Sequence, residues 1–426
     1  MFTVMLLIIV VGFAIGVPIA FAIGGGVLAY LLFTDIAATM LVTEEVFTAY
    51  DNLILTAVPL FMFAGLLMTE AGLTSRLIDF SNSLVGRVRG GLAHVNVISN
   101  VVMSGISGAA TSDAAAIGSV LIPAMVKSGY PKPFAAAITA AAATLGPIIP
   151  PSIPILVYCA FADVSVGRAL LAGVMPGVFM AIAMIVINYW IAVRRGYPVT
   201  TEPFSILRVA RELVRVLSVL LVTLIIIGGV VVGVFTATEA SAIASLLVIL
   251  LGILLYRVLT WRTMRKVALQ SVVLTGTIMA VLGLAKALAW ILTRERIASQ
   301  LTGAMTMLGN DPTMFLLVLT FVLLLMGCFL DATPIMIIVL PVVIPVATAL
   351  HVDLVHMGIV VVLALMIGLL TPPVGLTAML VCSMANLRMS ELVRECWPYW
   401  VGILACIVFV IYFPGSIMWV PNLLMN

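Results

Sequence analysis

GPIIPPSI (146–153) and GLLTPPVG (368–375) decide the fold of this chain. Each puts a Pro-Pro pair inside an apolar run long enough to cross a bilayer, 134–158 in one case and 355–381 in the other. A proline in a helix lacks the N–H its turn needs and collides with the preceding turn. It also drives the residue before it out of the α region. Gly146 to Pro151 and Gly368 to Pro373 are therefore expected to be unwound, with Pro147, Pro150, Pro151, Pro372 and Pro373 as the helix breaks. Carbonyls freed at membrane depth persist only when buried in protein or lining a cavity. Two such breaks point to an ion or substrate site, whereas a single one would read as a packing kink.

The two stretches are in register. A common offset of 222 residues relates Pro123 to Pro345, Gly146 to Gly368, Pro150 to Pro372 and Pro151 to Pro373. In both halves 27 residues separate the upstream proline from the first proline of the pair. Upstream of each pair lies a segment with the length and breakers of a hairpin that enters and leaves on one side, 92–126 and 313–350. Inverted repeats with broken helices are a recurrent plan of secondary transporters, with the binding site at the repeat interface.

Composition agrees. Of 426 residues 64% are hydrophobic and 9% charged, against about 25% charged in soluble domains. Candidate membrane segments are 2–33, 46–70, 92–126, 134–158, 168–193, 212–235, 239–256, 272–292, 313–350, 355–381 and 399–419. Residues 2–33, interrupted by Gly16 and Pro18, lack the basic start of a signal peptide and are expected to remain as membrane-embedded helix. A formal charge of +3 is no polybasic signature, which excludes nucleic acid as a partner. Cys159, Cys328, Cys382, Cys396 and Cys406 fit neither a zinc nor a disulfide pattern and read as packing residues.

Lysine and arginine orient the chain. Residues 194–215, 257–266 and 76–89 hold the basic clusters and are expected in the cytoplasm. Segment 34–45, with Asp35, Glu44 and Glu45 and no basic residue, suits the outside. Parity then gives the two hairpin-plus-helix units opposite orientations. Between the basic clusters, Thr236 and Glu239 read as a capping box opening a helix.

The hairpin tips, SGISGAATSDAAAIGS (104–119) and GCFLDATP (327–334), are expected to face the breaks. Gly and Ser permit tight turns, Ser104, Ser107 and Thr111 supply hydroxyls, and half-helix N-termini suit a carboxylate. Asp113 and Asp331 are the acidic residues at the tips; ion ligand, proton carrier and helix N-cap are the roles open to them. The expected substrate-facing set is Ser107, Ser152, Asp113 and Asp331. His94, His351 and His356 form no cluster, and Lys286, late in a span, reads as a snorkelling residue. No HExxH or GxSxG motif is present, so an enzyme is not expected.

NVISNVVMSGISGAATSDAAAIGSVLIPAMVKSGY (96–130), VPLFMFAGLLMTEAGL (58–73), GRVRGGLAHVNV (86–97), FTATEASA (235–242) and the two Pro-Pro motifs resemble the large membrane subunit of TRAP transporters, the tripartite ATP-independent periplasmic family. The resemblance covers essentially the whole chain; Ala237 departs from it, where the family usually has proline. It implies an all-α polytopic membrane protein of the ion-transporter superfamily, with two re-entrant hairpins, two broken helices and an elevator mechanism. It implies uptake of C4-dicarboxylates, sialic acids or related organic acids across the inner membrane. Its partners would be a small four-helix membrane subunit, as a separate polypeptide, and a periplasmic substrate-binding protein. The coupling ion it implies is sodium, the only metal expected, with no organic cofactor. Carried over, the sodium ligands are oxygens of Gly327, Gly368, Thr371 and Val374, and the repeat places a first site at Ser104, Gly105, Gly146, Ile149 and Ser152. The chain then divides into a first core at 92–160, scaffold helices and basic loops at 161–270, and a second core at 313–385. The rival reading is a stand-alone carboxylate carrier or antiporter of the same superfamily, needing no binding protein.

Overall fold

The structure, a computed structural model, describes residues 1–34, 36–51, 53–197, 205–297, 300, 303 and 311–425. Asp35 and residues 198–204 of the largest basic cluster lie outside the described residues. All regular structure among the described residues is helical. In chain order the helices are α1 (Phe2–Ala14), α2 (Ile19–Leu31), α3 (Ile36–Tyr50), α4 (Leu53–Glu70), α5 (Leu73–Val85), α6 (Gly91–Ser107), α7 (Ala110–Lys127), α8 (Lys132–Ala143), α9 (Ile153–Ala162), α10 (Val166–Arg195), α11 (Ile206–Val231), α12 (Ala237–Leu250), α13 (Trp261–Arg294), α14 (Pro312–Gly327), α15 (Ala332–Ala349), α16 (Leu354–Gly368), α17 (Leu376–Ala385), α18 (Met389–Tyr412) and α19 (Gly415–Leu424). By length and composition, five helical segments among the described residues can each cross a membrane alone: α10, α12 with its extension to Leu255, α13, α15 and α18.

Both hairpin segments break where glycine and aspartate stand. Residues 92–126 divide into α6 and α7 around Gly108, and 313–350 into α14 and α15 around 328–331. Both Pro-Pro runs break as well, 134–158 into α8 and α9 and 355–381 into α16 and α17. The second half of each broken run packs across onto the other set of helices. α9 lies on α15 and α16, and α17 lies on α7 and α8. Glycine permits both crossings. A Cβ on Gly358 would come within 2.5 Å of the Tyr158 ring, and one on Gly118 within 3.1 Å of the Met384 methyl. The Tyr158 hydroxyl also donates to the Leu354 carbonyl, tying α9 to α16.

Two hydrophobic clusters result. One joins α6 to α10 with α14 to α19. The other joins α1 to α5 with α11 to α13 and receives residues of α7 and α9. Among the polar groups buried with the first, Asn96 Nδ2 donates to Thr139 Oγ1 at 2.7 Å, and the Tyr399 hydroxyl to Asn188 Oδ1 at 2.6 Å. An orphaned amide or hydroxyl in an apolar interior costs about 1–3 kcal/mol, so these pairs fix the register of α6 on α8 and of α18 on α10.

Residues 2–33 are interrupted at Gly16 and Pro18 and form two antiparallel helices. The chain turns at Gly16 (φ +80°), with Gly12 against Ala22 and Gly26 against Ile9 and the Met5 carbonyl. Other expectations need correction. Most of segment 34–45, expected as an outer link, belongs to α3. Arg208, Arg211 and Arg215 lie in the first turns of α11, not in a loop, and Arg262, Arg265 and Lys266 open α13. The last span begins ten residues early, at Met389, so Cys396 is inside a helix and buried like the other cysteines. The amphipathic α5 was not foreseen. The capping box is present: Thr236 Oγ1 accepts from Glu239 N at 3.2 Å, and Glu239 Oε2 accepts from Thr236 N at 2.8 Å.

Candidate functional site

The first tip is built by Gly108. It closes α6 in the left-handed region (φ +61°), and a Cβ there would meet the Pro151 carbonyl oxygen at 2.6 Å. No other residue lets the tip touch the first break. Just inside the tip, Ser107 Oγ donates to Asp113 Oδ1. Asp113 is fully buried in the first turn of α7, and its Oδ2 has no hydrogen-bond partner among the described residues. That oxygen rests against Gly146, where a Cβ would lie 2.3 Å away. Glycine at 146 is thus required by the carboxylate as well as by the unwinding. The break continues through 144–152 with a cis Pro150–Pro151 peptide. It ends at Ser152, which caps α9 by accepting from Ile155 N at 3.2 Å and donates to the Pro147 carbonyl.

The second tip meets the second break through backbone alone. The Cys328 carbonyl accepts from Val374 N at 3.1 Å and from Gly375 N at 3.0 Å. Gly327 and Gly368 lie face to face, so that a Cβ on Gly368 would come within 2.5 Å of the Gly327 Cα. Thr371 N donates to the Gly368 carbonyl at 3.0 Å, and Thr371 Oγ1 donates to the Ile367 carbonyl at 2.8 Å. The Thr371 hydroxyl oxygen keeps its lone pairs. Gly375 is left-handed (φ +51°), and the Thr371 carbonyl oxygen is 2.9 Å from where its Cβ would stand. Gly327, Gly368, Thr371 and Val374 are therefore gathered in one place.

The first set is less compact. Gly146, Ile149 and Ser152 share the break, but Gly105 faces α11, its carbonyl accepting from Thr223 Oγ1 at 2.8 Å. Ser104 Oγ donates back to the Val101 carbonyl at 2.7 Å. Sequence reasoning missed the Gly108–Pro151 contact and the doubly used Cys328 carbonyl. Gly108 carried a signal, a glycine between hydroxyl-bearing residues; the Cys328 contact is a backbone property that no side chain announces.

Between the two tips lies a cavity of about 250 Å³. Its walls come from both tips, the start of α9, α4 and α13, and it receives Ser107, Thr111 and Asp331. Asp113 and Ser152 are not on its wall and are both fully buried. The two helix N-termini that reach the cavity differ. Asp331 caps α15, its Oδ1 accepting from Ala332 N at 2.8 Å. α7 has no side-chain cap at Ala109, and its first intrahelical donor is Asp113 N, bonded to the Ala109 carbonyl at 3.1 Å. The N–H groups of Ala110, Thr111 and Ser112 precede it, at residues that line the cavity. Such an end attracts anions through its free donors and the helix dipole.

Helices of membrane length around a largely apolar cavity with a few hydroxyls and one carboxylate, walled by broken helices and hairpin tips, are the architecture of a membrane permease. The fold is similar to that of the crystal structure of the Alcanivorax borkumensis YdaH transporter, with a TM-score of 0.67 and 15% identity over 90% of each chain. The chain belongs to the family of the tripartite ATP-independent periplasmic transporter DctM component, whose sequence profile matches residues 2–416. It is 33% identical to the sialic acid TRAP transporter large permease protein SiaM of Vibrio cholerae over 96% of both chains. It is 36% identical to the C4-dicarboxylate TRAP transporter large permease protein DctM of Pseudomonas aeruginosa, over 93% of this chain and 92% of that one.

Proposed function

We propose that this large permease imports a small organic acid across the inner membrane by sodium-coupled secondary transport, receiving the acid from a periplasmic binding protein and working with a small four-helix membrane subunit. The uncapped N-terminus of α7 at the cavity carries this reading. Its N–H groups, with the hydroxyl of Thr111, present donors to a carboxylate, while the hydroxyl of Ser107 is held by Asp113 and the capped α15 presents Asp331. Sialic acid and C4-dicarboxylates, named for the relatives, are the classes to try first.

Sodium ions would sit where the tips meet the breaks. The second site would take oxygens of Gly327, Gly368, Thr371 and Val374, and the first those around Gly146, Ile149 and Ser152, beside the Asp113 carboxylate. Each elementary charge moved against 100 mV costs roughly 2.3 kcal/mol. A dianion entering a negative cell alone would face about twice that, and two sodium ions cancel it. In this reading 92–160 and 313–385 move together as the elevator, and substrate and ions travel with them.

The test is uptake of labelled sialic acid and succinate into proteoliposomes holding both membrane subunits, with the binding protein outside. Uptake is expected only with an inward sodium gradient and with all components present. Equal uptake on a proton gradient in sodium-free buffer would overturn the ion assignment. Concentrative uptake by the large subunit alone would favour the stand-alone carrier.

A further inference from the structure

Three helices that wall the central cavity, α4, α9 and α13, also wall a second pocket of about 430 Å³. On α4 the linings are separated from Met62 to Leu55 and on α9 from Pro154 to Ala160, about 9–10 Å at a rise of 1.5 Å per residue, while on α13 they adjoin at Val281 and Leu282 and run on to Lys286. Thr48 and Asp51, which complete the pocket, follow directly on the acidic segment that the charge pattern assigns to the outer face. The two pockets are thus successive stations along one helix bundle, the second on the outer side.

Lys286 is the cation of this pocket. It is half-buried, its Nζ lies 5.5 Å over the Phe161 ring, and it has no ion pair among the described residues. A snorkelling lysine carries its ammonium out to the headgroup level. This one points into a pocket shared with Phe161, Thr48 and Asp51. Ionisable residues inside membrane segments mark substrate or ion pathways by default. The central cavity has hydroxyls, N–H donors and the acidic Asp331 on its wall but no lysine or arginine among its lining residues. A full positive charge is met only at the outer station.

Resting on the transport reading above, we propose that this pocket is an outer vestibule in which Lys286 holds the anionic group of the incoming organic acid before it passes to the central cavity. The five native cysteines are buried, and Thr48 is exposed at the pocket rim, so Thr48→Cys gives the full-length chain a single reporter thiol. Its modification by a sulfonate-bearing and by an ammonium-bearing methanethiosulfonate reagent reads the local potential without requiring transport. A unit charge about 7 Å away in water changes such a rate about threefold. Lys286→Met, which keeps length and apolar contact, is expected to slow the sulfonate reagent and speed the ammonium one, each by about threefold, so that their ratio falls roughly sevenfold. Lys286→Arg should preserve the ratio. In the complete reconstituted transporter, Lys286→Met should raise KM for the acid severalfold with kcat largely kept, and Lys286→Arg should restore KM. An unchanged labelling ratio, or an unchanged KM beside a changed ratio, overturns the vestibule while leaving the transport reading intact. Failure of the unmodified transporter to take up any organic acid would defeat the transport reading and the substrate role of Lys286 with it.

Discussion

Thr371 is the side chain on which the second ion site can be tested most directly. Its hydroxyl donates to the Ile367 carbonyl and keeps its oxygen lone pairs, within a region otherwise made of backbone. Thr371→Val keeps the shape and removes that oxygen. A right-shifted sodium dependence of uptake with normal expression is the expected outcome; an unshifted curve would remove Thr371 from the ligand set. Gly368 tests the packing beneath it. Alanine there would push its Cβ to 2.5 Å from the Gly327 Cα, and overpacking of this kind costs about 1–3 kcal/mol. Gly368→Ala should lower the melting temperature of the purified protein in detergent and reduce the folded yield. At this scale the sequence was legible where residue type carries the constraint. Prolines and glycines announced both breaks. Of the four residues expected to face substrate, Ser107 and Asp331 line the cavity, while Asp113 and Ser152 are buried off its wall. Acids and hydroxyls look alike in a sequence whether they line a cavity or lie behind it.

Among the elements, the half-helices following the tips behave differently from each other. α15 is capped by Asp331, and asparagine caps as well as aspartate. Asp331→Asn should therefore keep thermal stability, whereas Asp331→Ala should cost about 1 kcal/mol. If Asn and Ala destabilise equally in thermal unfolding, the cap is not what holds that end. If Asp331→Asn keeps stability, a transport defect of that variant reports the charge in the cavity, separate from folding. The two Pro-Pro breaks were legible because adjacent prolines interrupt a helix, whereas single prolines such as Pro176 of α10 and Pro398 of α18 stay inside continuous helices. Helix starts such as those of α11 and α18 were less legible. Charged residues there signalled loop, while tertiary contacts extended the helix: Arg195 of α10 pairs with Glu395 of α18 at 2.8 Å. The crossing of α9 and α17 between the two sets was also out of reach, since it joins residues about 200 positions apart, as Tyr158 and Leu354 show.

For the whole molecule, the decisive expectation is orientation. Cysteine probes near Lys127 at the end of α7 should label from the cytoplasm, and probes near Leu350 at the end of α15 from outside. Labelling of both from one side would end the inverted arrangement. The N-terminal hairpin has a consequence of a different kind. α1 and α2 hold 13 residues each, about 20 Å of helix. They pair against each other, with Leu7, Val10, Ile15, Phe21 and Leu28 exposed. This corner of the molecule therefore offers lipid an apolar wall about two-thirds as tall as the hydrocarbon layer. Acyl chains beside it must shorten or tilt, each ångström of mismatch costing a fraction of a kcal/mol. Because Gly24 of α2 sits against Leu284 of α13, lipid thinned in this way would border a helix that walls the central cavity, and bilayer thickness would become a variable to which that wall is exposed.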